Sequence, residues 1–207
     1  MIASVEFSVG GDVPTGASLP FRLVDLEADT PNEEPITLKA QTERALVYPG
    51  SIDATVSQSL SGEYRLVALP GAVDRSLSDV LSGSPGVDWQ AYWDTGDEKD
   101  PFITFDGSST FNLRPGRGFW VTSSQEFSVD ESIPTVSLND QNRAVVDVHS
   151  GWNIISNPLE RDVRWSAVGA ANEGTLQPLW SYEGGSYARA DSFRSAQTGQ
   201  AYYFLNS

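Results

Sequence analysis

The feature that most limits the fold is an internal echo. The stretch Gly151-Trp152-Asn153-Ile154-Ile155-Ser156-Asn157-Pro158 is preceded by Tyr64-Arg65-Leu66-Val67-Ala68-Leu69-Pro70, 88 positions earlier. At that spacing Trp152 falls on Tyr64, Ile154-Ile155 on Leu66-Val67, and Pro158 on Pro70. Asp162, Trp165, Ser166 and Val168 then fall on Asp74, Leu77, Ser78 and Val80. With one residue lost, Gln177-Pro178-Leu179-Trp180 falls on Gln90-Ala91-Tyr92-Trp93, and after a shorter middle Thr198-Gly199-Gln200-Ala201-Tyr202-Tyr203-Phe204 falls on Pro115-Gly116-Arg117-Gly118-Phe119-Trp120-Val121. Two copies are too few for a solenoid. The expectation is a doubled unit, with one shared core or two.

The residue types point to strands. Leu66 to Leu69 and Ile154-Ile155 are short apolar runs stopped by proline, which cannot donate to a ladder. Trp89-Gln90-Ala91-Tyr92-Trp93 alternates, with both tryptophans on one face. Asp74 and Asp162 can each cap a short helix, after which Leu77, Val80 and Leu81, or Trp165 and Val168, recur at helical spacing. Pro115-Gly116 and Thr198-Gly199 read as turns into a closing aromatic strand. Turn signals every eight to twelve residues argue for a mostly β fold, a β-sandwich or β-barrel-like arrangement of two degenerate repeats, each with one short helix.

Four segments follow. Residues 1–45 hold strands over Ser4–Val9 (Val5, Phe7 and Val9 on one face), Phe21–Leu26 and Ile36–Ala40, with no counterpart in the second copy. They read as a strand-swapped cap or the tail of a preceding domain. The first repeat covers 46–125, entered by a strand over Thr55–Leu60. A connector covers 126–134. The second repeat covers 135–207 and opens with a hairpin of Thr135–Leu138 and Ala144–Val148 around Asn139-Asp140-Gln141-Asn142. Met1 reads as an addition to an excised segment, and the finish on an aromatic strand as a cut from a longer protein.

Charge narrows the partners. A net charge of −15, with Lys39 and Lys99 the two lysines among 13 basic residues, repels nucleic acid and anionic membranes. It serves solubility or suits a saline medium, where salt screens carboxylate repulsion. The absence of cysteine removes disulfides and thiolate chemistry. No apolar run reaches the roughly 20 residues of a membrane span.

Gly-Trp-Asn-Ile-Ile-Ser-Asn-Pro, Trp165, Leu179-Trp180-Ser181-Tyr182-Glu183-Gly184-Gly185-Ser186-Tyr187 and the turn before an aromatic strand together resemble repeats of large secreted or surface proteins of Bacteroidetes-type bacteria, often placed before a C-terminal sorting domain. The resemblance covers roughly residues 55–207. Pro115-Gly116-Arg117-Gly118-Phe119-Trp120-Val121 fits its closing motif, and Thr198-Gly199-Gln200-Ala201-Tyr202-Tyr203 departs from it. It implies an extracellular or cell-surface setting and carries no catalytic residues.

No catalytic constellation stands out. The single histidine, His149, reads as a surface residue before a turn. Carboxylates are plentiful, but none pairs off as a glycosidase needs. Asp94, Asp97 and Asp100, with Glu98 between, could offer oxygens to calcium, yet the spacing departs from the twelve-residue loop and Lys99 sits among them. The metal question stays open, and no cofactor is implied. Aromatic rings matched between copies read as core; the unmatched Trp89, Tyr182 and Tyr187 are the candidates for ligand contact. The expectation is a non-catalytic spacer or adhesion module whose partner is a polysaccharide or another surface protein. The alternatives are a carbohydrate-binding module appended to a polysaccharide-active enzyme and, third, a glycosidase.

Overall fold

The computed structural model describes residues 18–20, 44–46, 51–57, 61–139, 141, 143–172 and 176–206. Its strands are β1 (Ser18–Pro20), β2 (Arg44–Leu46), β3 (Ser51–Ser57), β4 (Tyr64–Ala68), β5 (Arg75–Ser76), β6 (Trp89–Asp94), β7 (Phe102–Thr104), β8 (Asn112–Leu113), β9 (Gly118–Ser123), β10 (Ser128–Pro134), β11 (Gly151–Ile155), β12 (Val163–Arg164), β13 (Leu179–Glu183), β14 (Ser186–Ala190), β15 (Ser192–Phe193) and β16 (Tyr202–Asn206). Two short helices, α1 (Leu77–Val80) and α2 (Trp165–Ala171), follow β5 and β12. The protein is mostly β, and its strands pair antiparallel in several sheets. None of the described sheets closes into a barrel, which sets the barrel-like alternative aside.

Two four-stranded sheets carry the design. One runs β4-β9-β6-β7 and the other β11-β16-β13-β14. In each, the first strand lies at one edge beside the last, and the middle two form a hairpin at the other edge. Each sheet has a two-stranded satellite, β5-β8 or β12-β15. The registers correspond: Leu66 and Tyr92 flank Trp120 as Ile154 and Trp180 flank Tyr203. Trp180 is therefore level with Tyr92, not with Trp93 as the sequence suggested. The spacing of 88 runs unbroken to that point, and the shortening falls later, between β13 and β16.

The halves interlock reciprocally. Ala68 N–H donates to Gly199 O (3.1 Å), and Ser156 N–H donates to Gly116 O (2.9 Å). Val67 bridges Gln200, and Ile155 bridges Arg117. A Cβ on Gly199 would stand 2.5 Å from Val56 of β3, and one on Gly116 the same distance from Val146. Each half's closing turn thus runs beneath a segment that leads into the other half, and only glycine leaves room for it.

Three apolar clusters follow. In the first half, Val67, Ala91, Phe119 and Val121 face Ala54, Val56, Val129 and Ile133 of the β3–β10 ribbon. The second half has Ile155, Leu179, Phe193, Tyr202 and Phe204, with Val146 and Trp165 against them. Between the sheets, Leu66, Ala68 and Trp120 meet Ile154, Ala201 and Tyr203.

The structure corrects several local expectations. The connector is strand β10, paired along its whole length with β3. Asp74 and Asp162 do not cap helices. Ser76 and Arg164 occupy those positions, while Asp74 Oδ1 accepts from Asn112 (3.1 Å) and Asp162 Oδ1 from the Ser195 N–H (2.9 Å). These carboxylates sit two residues too early and are taken by β8 and by the chain just after β15. The strand entering the first half is Ser51–Ser57. The hairpin expected at 135–148 has no ladder among the described residues, only Asn139 N–H to Arg143 O (2.9 Å). Val146 is drawn instead onto Gly116. The expected strands Ser4–Val9, Phe21–Leu26 and Ile36–Ala40 lie outside the described residues; within 1–45, β1 and the start of β2 are described, and β1 pairs antiparallel with β2. No described helix is long and apolar enough to cross a membrane.

The motif stretch now has a physical account. Asn153, 4% exposed, brackets the turn into β11: its amide donates to His149 O and Gly151 O (both 2.9 Å), and its Oδ1 accepts from His149 N–H (2.9 Å). Ile154 enters the shared cluster, and Ile155 the second-half core. Asn157, 1% exposed, donates to Arg161 O (2.8 Å) and Phe193 O (2.7 Å) and accepts from Leu159 N–H (3.0 Å). The Pro158 carbonyl accepts from Gly71 N–H (2.8 Å) in the first half. Its two asparagines hold turns, while the Ser156 hydroxyl is buried without a hydrogen-bond partner.

Candidate functional site: an aromatic groove between the sheets

Strand alternation sorts the rings. Tyr64 on β4, Tyr92 on β6, Phe102 on β7 and Trp120 on β9 share one face of the first sheet. Trp152 on β11, Trp180 and Tyr182 on β13, Tyr187 on β14 and Tyr203 on β16 share one face of the second. The faces meet over the small residues Ala68 and Ala201, leaving the larger rings at the mouth.

There the rings form an unbroken chain. Tyr92 lies 6.1 Å from Tyr64, Tyr64 lies 6.3 Å from Trp120, and Trp120 lies 4.7 Å from Tyr182 between centroids. Tyr182 then touches Tyr187 (5.0 Å), Tyr187 touches Tyr203 (5.9 Å), and Tyr203 touches Trp152 (5.8 Å). These are ordinary separations for attractive ring pairs. The groove has two lobes, of about 470 Å³ and 570 Å³, which share Phe102 and Tyr187. Tyr64, Phe102, Trp152 and Tyr187 are 42–54% exposed, so four large rings face solvent within one groove.

One polar relay underlies it. The Trp120 indole N–H donates to the Tyr203 oxygen (2.8 Å), and the Tyr203 hydroxyl donates to Asp94 Oδ2 (2.8 Å). Asp94 Oδ1 accepts from Gly96 N–H (2.9 Å), so the buried carboxylate is engaged at both oxygens. Burial, reinforced by Asp94, pushes the Tyr203 phenol far above its ordinary 10.0, against the opposing pull of the Trp120 N–H. Tyr187 is raised as well, first by burial and then by Tyr182 and Asp94. Both rings stay neutral hydrogen-bonding surfaces near pH 7.

This has a measurable consequence at high pH. Tyr203 and Tyr202 keep their protons when folded, because burial raises both above 10.0. The unfolded chain releases those protons near pH 10. Folding stability is therefore full below about pH 10 and falls above it, with Tyr203 contributing up to about 1.4 kcal/mol per pH unit and Tyr202 acting in the same direction. Urea midpoints at pH 8 and pH 11 should differ accordingly; equal midpoints would show that these phenols are not held protonated.

The sequence candidates fare unequally. Tyr182 and Tyr187 lie in the groove. Trp89 does not: it is 3% exposed, packs 4.9 Å from Phe105, and its indole N–H reaches Gly83 O (3.3 Å). The alternation of β6 turns it with Ala91 into the first-half core, away from Tyr92. Buried there, Trp89 presents no face to a ligand in the groove. The matched rings are not uniformly core either. Trp120 and Tyr203 are buried, but the matched pair Tyr64 and Trp152 is exposed. Sequence reasoning passed over Tyr64, Tyr92, Phe102, Trp152 and Trp180, although their shared strand parity was there to be read.

The acidic turn and the histidine are tied into local hydrogen bonds. Asp97 Oδ1 accepts from Lys99 N–H (2.9 Å), and no three acidic or histidine side chains converge among the described residues. His149 sets its ring nitrogens at Ser150 O (2.9 Å) and Asp94 O (3.1 Å) and stands edge-on to Trp93 at 5.6 Å. Arg117 covers Trp93 at 5.3 Å, on the far side of β6 from the groove. Compared with family models, curated proteins and solved structures, the chain matches none.

Proposed function

We propose that the chain is a non-catalytic adhesion module of a secreted or cell-surface protein that binds a neutral glycan in the aromatic groove. The observation that carries this reading is the clustering of four exposed rings in one continuous groove, since a contiguous exposed apolar patch of this kind marks an interaction site. Flat rings suit the apolar faces of pyranose sugars. The net charge of −15 disfavours anionic glycans and nucleic acids. A glycosidase needs two opposed carboxylates, whereas among the described residues the lobes are lined by one, Asp94, already held by Tyr203 and Gly96. We read the matching strand orders and reciprocal contacts as the outcome of an internal duplication, in keeping with the surface-protein repeats that the motif resembles.

Affinity electrophoresis through soluble polysaccharides and retention on insoluble ones test the proposal. The wild-type chain should be retarded on at least one neutral glycan. Trp152→Ala and Tyr187→Ala should each weaken binding about tenfold, the loss of roughly 1.4 kcal/mol. Both side chains are exposed, so the fold should persist. Absence of retention on every glycan would sink the reading and leave a spacer, for which the interlocked halves provide stiffness.

A further inference from the structure

The two lobes of the aromatic groove are counterparts of each other. By the strand registers, Tyr64, Tyr92 and Trp120 of the first half hold the places of Trp152, Trp180 and Tyr203 in the second. The hairpins continue the match. Asp94 stands opposite Phe102 across β6 and β7, as Tyr182 stands opposite Tyr187 across β13 and β14. One lobe is lined by Asp94, Phe102, Trp152, Trp180, Tyr187 and Tyr203. Exchanging each for its counterpart gives Tyr182, Tyr187, Tyr64, Tyr92, Phe102 and Trp120, and all of these line the other lobe. The remaining described lining residue of each lobe belongs to a hairpin turn, Pro101 in one and Gly185 in the other. Phe102 and Tyr187 trade places in the exchange, which is why the lobes share them. The groove is one kind of pocket presented twice, side by side.

Each lobe also draws rings from both sheets. Phe102 of the first sheet stands among Trp152, Trp180 and Tyr203 of the second, and Tyr187 of the second stands among Tyr64, Tyr92 and Trp120 of the first. A ring lodged in a lobe meets aromatic surface on more than one side, so both of its faces must be apolar. A pyranose with every substituent equatorial meets that demand, because its C–H bonds fill both faces. An axial hydroxyl makes one face polar, and burying it without a partner costs free energy. The lobes differ in kind at one place, Asp94 against Tyr182. A carboxylate has about four acceptor sites, and Asp94 engages Gly96 and Tyr203 through one oxygen each. Asp94 in one lobe and the Tyr182 phenol in the other can each engage a ring hydroxyl. Resting on the glycan reading above, we propose that the lobes are equivalent subsites holding two sugar units of a single chain, a β-linked polymer of an all-equatorial neutral pyranose such as glucose. Joined units reach the second lobe at the high effective concentration of a tethered ligand.

Calorimetric titration of the full chain with cellohexaose, a chain of β-linked glucose, tests this. One hexamer should bind per protein chain. Trp152→Ala in one lobe and its counterpart Tyr64→Ala in the other should each weaken binding by a similar factor, about tenfold, and leave the stoichiometry at one. Both side chains are exposed, so the fold should persist. Mannohexaose, which carries an axial hydroxyl on every ring, should bind about tenfold more weakly than cellohexaose. Two hexamers per protein chain, one of them lost with each substitution, would make the lobes independent and overturn the proposal. An unchanged affinity in Tyr64→Ala would overturn it too, as would equal affinity for the mannose chain. Retention on another neutral polysaccharide with no binding of cellohexaose would overturn it while the glycan reading stands. Binding to no neutral glycan at all would remove both.

Discussion

Replacing Trp120 with alanine is expected to destabilise the protein by about 3–5 kcal/mol, in the range for truncating a large buried aromatic residue. Trp120 is 8% exposed and touches Tyr64 from its own sheet and both Tyr182 and Tyr203 from the other. The cavity would open where the two sheets meet. Its indole N–H is also a partner of the Tyr203 oxygen, so the relay to Asp94 loses one end. Urea unfolding followed by fluorescence gives the number, with Trp152→Ala as the control. Trp152 is 42% exposed, so its loss should cost far less. A Trp120→Ala midpoint within error of the control would mean that the two sheets do not share this cluster.

The second large effect comes from adding atoms. Gly118→Val should cost about 3 kcal/mol or more, because overpacking a filled contact forces backbone shifts. A Cβ at Gly118 would stand 2.8 Å from the Ala201 Cβ and 2.8 Å from the Ile154 Cγ2, and 3.3 Å from the Val67 oxygen. Gly118 and Ala201 hold the same place in their respective halves, so each is small because the other is there. Gly118→Ala/Ala201→Gly should therefore recover part of what Gly118→Ala alone loses. No recovery would show that the strain lies with Ile154 and the backbone instead.

How much of this was legible in the residues depends on which force decides each feature. Strand content and the closing turns follow from alternation, proline stops and glycine, all local signals. In the sequence Asp130 and Glu131 give the cover strand β10 the look of a solvated connector. Its acids face outward or pair with Arg75, while Val129 and Ile133 carry the burial. Trp89 lacks an aromatic counterpart in the second half, but that is no sign of exposure, for the ring is buried. Its burial follows from the Ala91 side of β6, a parity argument that the sequence allows. The groove itself arises where two distant sheets converge, and no window of sequence contains both. Tyr64 and Trp152 were visible as a matched pair, yet only the approach of the sheets shows that a matched position can be an open one.

The reciprocal hydrogen bonds of Ala68 with Gly199 and Ser156 with Gly116 bear on how such a chain can be inherited. Neither sheet can be deleted, exchanged or spliced elsewhere without stranding backbone groups of its neighbour.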